Sequence, residues 1–170
     1  MMSDKIKLQM AIDQISAARD YTKSLLDDIH TDDWFRQSPG ETTHVGWQVG
    51  HLAMAQYGLA LYRQRGRKLE DAALMNSPFR KKFSRGTTVS WEPDFYPSAV
   101  EILSVFNGIH DLVMMELTEY PMSQLNETVG KPYAAYPTKL GCLLFCAHHE
   151  MLHAGQIGLL RRLLGKAPIR

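Results

Sequence analysis

Apolar positions recur with a helical period in four long segments of the chain. From about Asp4 to His30, Ile6, Met10, Ile15, Ala18, Leu25 and Ile29 fall at mostly helical spacings behind a Ser3/Asp4 cap signal. From about His44 to Arg65 the pattern is again helical, yet it holds Gly46, Gly50 and Gly58. Each costs ~1 kcal/mol against alanine in a helix interior, so these glycines imply close packing or room left for something. A third segment, Ser98 to Leu117, carries Val100, Ile102, Leu103, Phe106, Ile109, Leu112, Val113 and Met114. The fourth runs from Thr138 to Leu164 and closes with Gly165 and Pro168.

The connections are unequal. TDDWFRQSPGETT, with Pro39-Gly40 as punctuation, predicts a turn region between the first two helices. Residues 66–96, containing Pro78, Gly86 and Pro93, predict a long irregular stretch with at most a short helix over LEDAALMN. A loop of that length is often a lid or binding loop. Its basic, aromatic PFRKKFSRG run reads as a solvated connection or as a substrate-contacting one. No strand alternation, repeat or low-complexity tract appears. The expectation is an all-α four-helix bundle, one domain over residues 1–170, with a long loop between helices 2 and 3.

Composition narrows the function classes. In 170 residues with 45% hydrophobic content, 19 Lys+Arg stand against 18 Asp+Glu for a net charge of +1. That balance offers nothing to attract nucleic acid or an anionic membrane. No apolar run approaches the ~20 residues of a spanning helix. The opening MMSDKIKLQM lacks the apolar core of a signal peptide, which sets a cytoplasmic expectation. The two cysteines, Cys142 and Cys146, lie four apart on one predicted helix, where a strain-free disulfide is not expected.

The chemistry concentrates in HHEMLH, residues 148–153, which contains the H-E-x-x-H pattern of zinc peptidases. On a helical wheel, Cys142, Phe145, Cys146, Leu152, Ile157, Leu159, Leu160, Leu163 and Leu164 share one apolar face. His149 and His153 fall in its middle with Gln156 beside them. His148, Glu150, Lys139, Arg161 and Arg162 fall outside or at the margins. A polar side chain buried without a partner costs on the order of 1–3 kcal/mol, so two imidazoles in an apolar stripe need a shared partner. A divalent metal supplies one, because an i, i+4 pair of neutral imidazoles converges on one point. The peptidase reading fails: AGQIGLLRRLLGKAPIR, after His153, contains no His, Asp or Glu for a third ligand. The third ligand must come from upstream, and His51 is the candidate. It shares a stripe with Ala55, Gly58 and Tyr62, small residues ending in an aromatic. His44, about 10 Å earlier along the axis, reads as a cap or rim residue. His30 and His110 lack a partner pattern and are expected to be solvated or at helix ends.

Trp47 to Tyr57, WQVGHLAMAQY, and His149 to Gly165, HEMLHAGQIGLLRRLLG, resemble the two signature segments of the DinB-like (DinB/YfiT) superfamily. TDDWFRQSPGETTHVGW and the FSRG … YPS sequence are similar to its DinB_2-type members. The resemblance covers nearly the whole chain. It implies up-down-down-up connections between the four helices and a divalent ion held by His51, His149 and His153. Family members are often homodimers, and characterised relatives include thiol-dependent S-transferases and an isomerase that use a low-molecular-weight thiol.

These readings lead to a divalent transition metal, zinc or nickel first, with iron, cobalt or copper also suited to three imidazoles. The ion would activate a thiol or a water for transfer to, or hydrolysis of, a small molecule. Gln156 is expected to orient a ligand histidine, and Tyr62, Trp47 and the Phe79/Phe83 loop to shape the pocket. No carboxylate is placed as a general base, although Glu150 and Glu101 remain open. The alternative is a non-catalytic, stress-associated metal-binding interaction domain with a closed coordination sphere, in which Cys146 would be the fourth ligand. A third reading treats the histidines as plain core packing.

Overall fold

The computed structural model describes residues 3–40, 42–92, 94–130 and 136–169. Among them every regular element is helical, and the only strand-like pairing is an isolated bridge between Thr128 and Thr138. Pro93, read above as loop punctuation, lies outside the described residues.

Helix α1 spans Asp4–Leu26, and its first turn is closed by Ser3, whose side chain accepts from the Ile6 N–H. Helix α2, Val45–Gln56, begins at His44, whose Nδ1 accepts from the Trp47 N–H. It runs on without interruption through a π-helical stretch, Tyr57–Tyr62, and a last turn, Arg63–Arg65. Two short helices follow, α3 (Asp71–Leu74) and α4 (Ser77–Lys82). Helix α5, Ala99–Thr118, opens on a reciprocal capping box between Ser98 and Glu101. Helix α6, Lys139–Leu163, starts at the Thr138 cap and ends at Gly165, where a φ of +81° suits glycine. The four long segments thus appear where the periodicity places them. In the stretch 66–96, α3 falls within LEDAALMN, where a short helix was expected, while α4 differs from the expectation of irregular chain. Asn76 caps α4 by accepting from the Phe79 N–H, and the phenylalanines of the PFRKKF run turn inward: Phe79 and Phe83 are buried.

Helix α1 packs along α6, while α2 packs on both α5 and α6. Close approach depends on two of the α2 glycines. A Cβ on Gly46 would come within 3.0 Å of the Phe35 ring, and one on Gly50 within 2.6 Å of the Phe83 ring. Gly58 is different, with nothing within 4 Å of such a Cβ.

The buried face of α6 is only partly the one hydropathy predicts: Leu160 and three others of that face are buried, but its margins differ. Cys142, Cys146, Glu150, Ala154, Ile157 and Arg161 are buried, whereas Leu152, Leu159 and Leu163 are 64%, 51% and 49% exposed. The reason is pairing. Arg19 of α1 meets Glu150, and Arg161 meets Asp28 just after α1, so two charged residues of α6 turn inward. A hydropathy wheel scores each residue alone and misses a buried charge satisfied from another helix. Ile6, Met10 and Val100, read as core-facing, are likewise exposed.

Candidate metal centre

Three histidines from two helices converge. His51 projects from α2, and His149 and His153 project from successive turns of α6. One ring nitrogen from each lies within 4.8 Å of the others. Ring centroids are 5.3 Å apart for His51 and His149, 4.7 Å for His51 and His153, and 4.6 Å for His149 and His153. His51 is buried, and the other two are partly so, lying at the edge of the α6 core face rather than in its middle.

Two of the rings are held by hydrogen bonds that fix which nitrogen is free. The Phe83 carbonyl lies 2.7 Å from Nδ1 of His51. A carbonyl can only accept, so Nδ1 carries the proton and Nε2 keeps its lone pair. For His153 the partner is Gln48 Oε1, 2.5 Å from Nδ1. The Gln48 amide is oriented by its own bonds, since Nε2 donates to Thr43 Oγ1 at 2.9 Å and to Gln156 Oε1 at 2.7 Å. Nδ1 of His153 is therefore the donor, and its Nε2 is free. Trp47 stacks on His51 with centroids 4.8 Å apart and planes 8° from parallel, and donates its indole N–H to Thr87 Oγ1. Phe145 packs beside His149.

Burial keeps the rings neutral. Desolvation is the main cause that lowers the pKa of all three; the Phe83 carbonyl opposes it at His51, while neighbouring imidazoles add to it at His149, lowered to about 4, and His153, lowered to about 3. At neutral pH the site is therefore a set of uncharged nitrogen donors, two of them with the fixed tautomer that metal-binding histidines require. The three residues fit a divalent ion in number, donor type and protonation.

A cleft of about 580 Å³ adjoins the triad, sharing Trp47, Gln48 and Gln156 with the residues around it, and the described residues that line it are uncharged. Thr42, Thr43, Thr87 and Thr88 line one part, and Leu159, Leu160 and Leu163 form an apolar wall.

The other candidate residues fall as follows. Gln156 does not touch a ligand histidine; it supports Gln48, which does. Tyr62 is 53% exposed and takes no part in the cleft. The stripe that joined it to His51 assumed an α-helical turn, and the π-helical stretch from Tyr57 changes the rotation per residue. His44 is a cap, but it is buried among Phe35, Trp91 and Tyr96 rather than on a rim. His110 is not solvated: it is buried, with Nδ1 3.1 Å from Gln56 Nε2. His30 does cap an exposed turn, Thr31–Asp33. His148 is exposed beside the site.

Neither candidate base is available. Glu101 is committed to the α5 capping box, where the Ser98 hydroxyl and N–H hold its pKa low. Glu150 faces away from the triad and accepts from Arg19 at 2.7 Å and 3.2 Å. Cys142 and Cys146 are buried free thiols; burial pushes both pKa values up, and neither joins the histidine cluster.

Three supporting groups escaped the sequence reading. Gln48 had a signal, because it sits three residues before His51 and so shares its helix face. Arg19 had one too, a charge in line with Ile15 and Thr22 on α1. The Phe83 carbonyl had none, since any residue carries one.

No curated protein matches this chain. A family model described as the DinB superfamily matches residues 14–157, a span that holds all three histidines, the whole of α2 and most of α6. On that match, together with the histidine cluster, the chain belongs to the DinB superfamily.

Proposed function

We propose that this protein is a metal-dependent enzyme acting on a small molecule, a thiol S-transferase or a hydrolase, with zinc or nickel at His51, His149 and His153. The observation that carries the reading is three neutral imidazoles, with nitrogens within 4.8 Å of one another, beside a cleft lined among the described residues by threonines, glutamines and leucines. When bound, a divalent ion at such a site supplies Lewis acidity, bringing the pKa of a water or thiol toward neutrality.

The chain's own residues supply the rest. The Phe83 carbonyl and Gln48 hold His51 and His153 in the tautomer that leaves Nε2 free. Trp47 covers one face of His51 and limits water access on that side. The threonines and glutamines of the cleft offer hydrogen bonds to a polar substrate, and the leucine wall offers an apolar surface. Among the described residues no carboxylate lines that cleft, so the proton released by a water or thiol would pass to solvent rather than to a carboxylate base.

The same reading takes the four long helices as the up-down-down-up bundle of the superfamily, acting in the cytoplasm as a homodimer. Packing of α1 on α6 and of α2 on α5 and α6 supports that connectivity. A small-molecule substrate fits better than nucleic acid, given a net charge of +1. The rival, a non-catalytic metal-binding domain, needs a closed coordination sphere, and a cluster of three histidines without Cys146 favours an open one.

The test is a screen for thiol transfer and ester or amide hydrolysis with the zinc- and nickel-loaded protein beside His51→Ala. Activity that requires the metal and disappears in a folded His51→Ala protein supports the enzyme. Undiminished activity in that variant sinks it.

A further inference from the structure

Both helices that carry histidine ligands also give an acceptor to a single guanidinium. Arg19 of α1 is fully buried. Its Nε donates to Glu150 Oε1 at 2.7 Å, and its Nη2 donates to Gln56 Oε1 at 2.6 Å and to Glu150 Oε2 at 3.2 Å. Nη1 donates to the Phe106 carbonyl of α5 at 2.6 Å, and the guanidinium lies 3.4 Å from the centre of the Phe106 ring. One side chain therefore joins α1, α2, α5 and α6.

The places of its acceptors matter. Glu150 follows His149 directly on α6, and Gln56 lies on α2 little more than one turn beyond His51. Adjacent residues on a helix point about 100° apart, so fixing Glu150 toward α1 fixes the direction in which His149 faces. Gln56 bonds to the same nitrogen that reaches Glu150, so the two ligand helices share one reference point. The guanidinium is planar and rigid, and its donors leave in set directions. Two other arginine networks do not do this. Arg161 with Asp28 leaves α2 out, and Arg65 with Asp71 and Glu116 leaves α6 out.

We infer that Arg19, through Glu150 and Gln56, is a positioning residue for the histidine cluster, holding α2 and α6 in the register that brings His51 to His149 and His153. The inference rests on the metal-centre reading above. It also gives the glutamate of the HEMLH segment a role: it anchors the helix from behind and takes no part in proton transfer.

The test uses Co²⁺ as the probe, read by its visible absorption, in the wild-type chain, in Arg19→Leu/Glu150→Leu and in Gln56→Leu. Removing both partners of a buried pair together leaves no unpaired charge, so the double variant is expected to fold. Its Co²⁺ affinity is expected to fall about 10- to 100-fold, as when outer supports of metal ligands are lost, with an altered absorption band. Gln56→Leu keeps the ion pair and is expected to lose less in the same direction. A purely structural role would move the unfolding temperature and leave both affinity and spectrum of the folded protein unchanged; that result overturns the inference. Should the double variant not fold, unchanged Co²⁺ affinity in Gln56→Leu overturns it instead. No Co²⁺ binding by the wild-type chain overturns the metal reading, and this inference with it.

Discussion

Gly50→Ala tests the packing that supports His51. In an ordinary helix this change stabilises, because glycine costs ~1 kcal/mol against alanine. Here the added methyl would come within 2.6 Å of three carbons of the Phe83 ring. Phe83 is fully buried and boxed in by Phe79 and Tyr96, with centroids at 4.6 Å and 5.2 Å. It cannot step aside freely. Overpacking of this kind typically costs 1–3 kcal/mol, and displacing Phe83 strains the carbonyl bond to His51, worth about 0.5–1.5 kcal/mol. Against the propensity gain, the net is a loss of about 1–2 kcal/mol, or roughly 2–8 °C in Tm for a chain of this size. Gly58→Ala is the matched control, since nothing lies within 4 Å of its added methyl. That variant is expected to gain about 0.5–1 kcal/mol. Thermal unfolding of the metal-free proteins and a zinc titration of each decide the matter. Equal stabilisation by both substitutions, with zinc affinity unchanged in Gly50→Ala, would refute the argument that Gly50 exists to admit Phe83.

The metal-free protein should lose stability as pH falls from about 6.5 to about 4. His44 and His110 are held neutral by burial, with folded pKa values of about 4, so the unfolded chain binds more protons through that window. Stability therefore rises with pH there, by about 1.4 kcal/mol per pH unit for each such histidine. Urea midpoints at pH 7, 6 and 5 measure it, and a flat profile contradicts it. Cys146→Ala should leave zinc affinity unchanged, because the buried thiol stands outside the histidine cluster. A tenfold loss on titration would mean that the thiol is a fourth ligand and the coordination sphere is closed. Native Cys146 should also resist alkylation at pH 8, since burial raises its pKa; rapid labelling of the folded protein would show the site to be open.

Much of the fold was legible because its helices announce themselves. Periodicity located all four long helices, and Ser3, Ser98, Thr138 and Gly165 closed their ends as their side chains or lack of one predict. The histidine cluster was legible because i, i+4 spacing on α6 and the glycine-flanked His51 on α2 are local patterns. What was not legible depends on partners far along the chain. Glu150 and Arg161 are buried only because Arg19 and Asp28 meet them, more than a hundred residues away. Hydropathy therefore placed Cys142, Cys146, Ile157 and Leu160 of α6 correctly but put Leu152, Leu159 and Leu163 on the buried face in place of Glu150 and Arg161. Tyr62 was misplaced by a π-helical stretch that no local rule flagged. Gln48 was overlooked in favour of Gln156 because only the three-dimensional network shows which amide reaches His153.

The metal content of freshly purified protein, beside a His51→Ala/His149→Ala variant, tests the central claim most directly. Elemental analysis should find about one divalent ion per chain, as one set of three imidazoles requires, and little or none in the variant. A wild-type chain without metal, even after incubation with zinc and nickel salts, would contradict the account and leave the three histidines as packing alone.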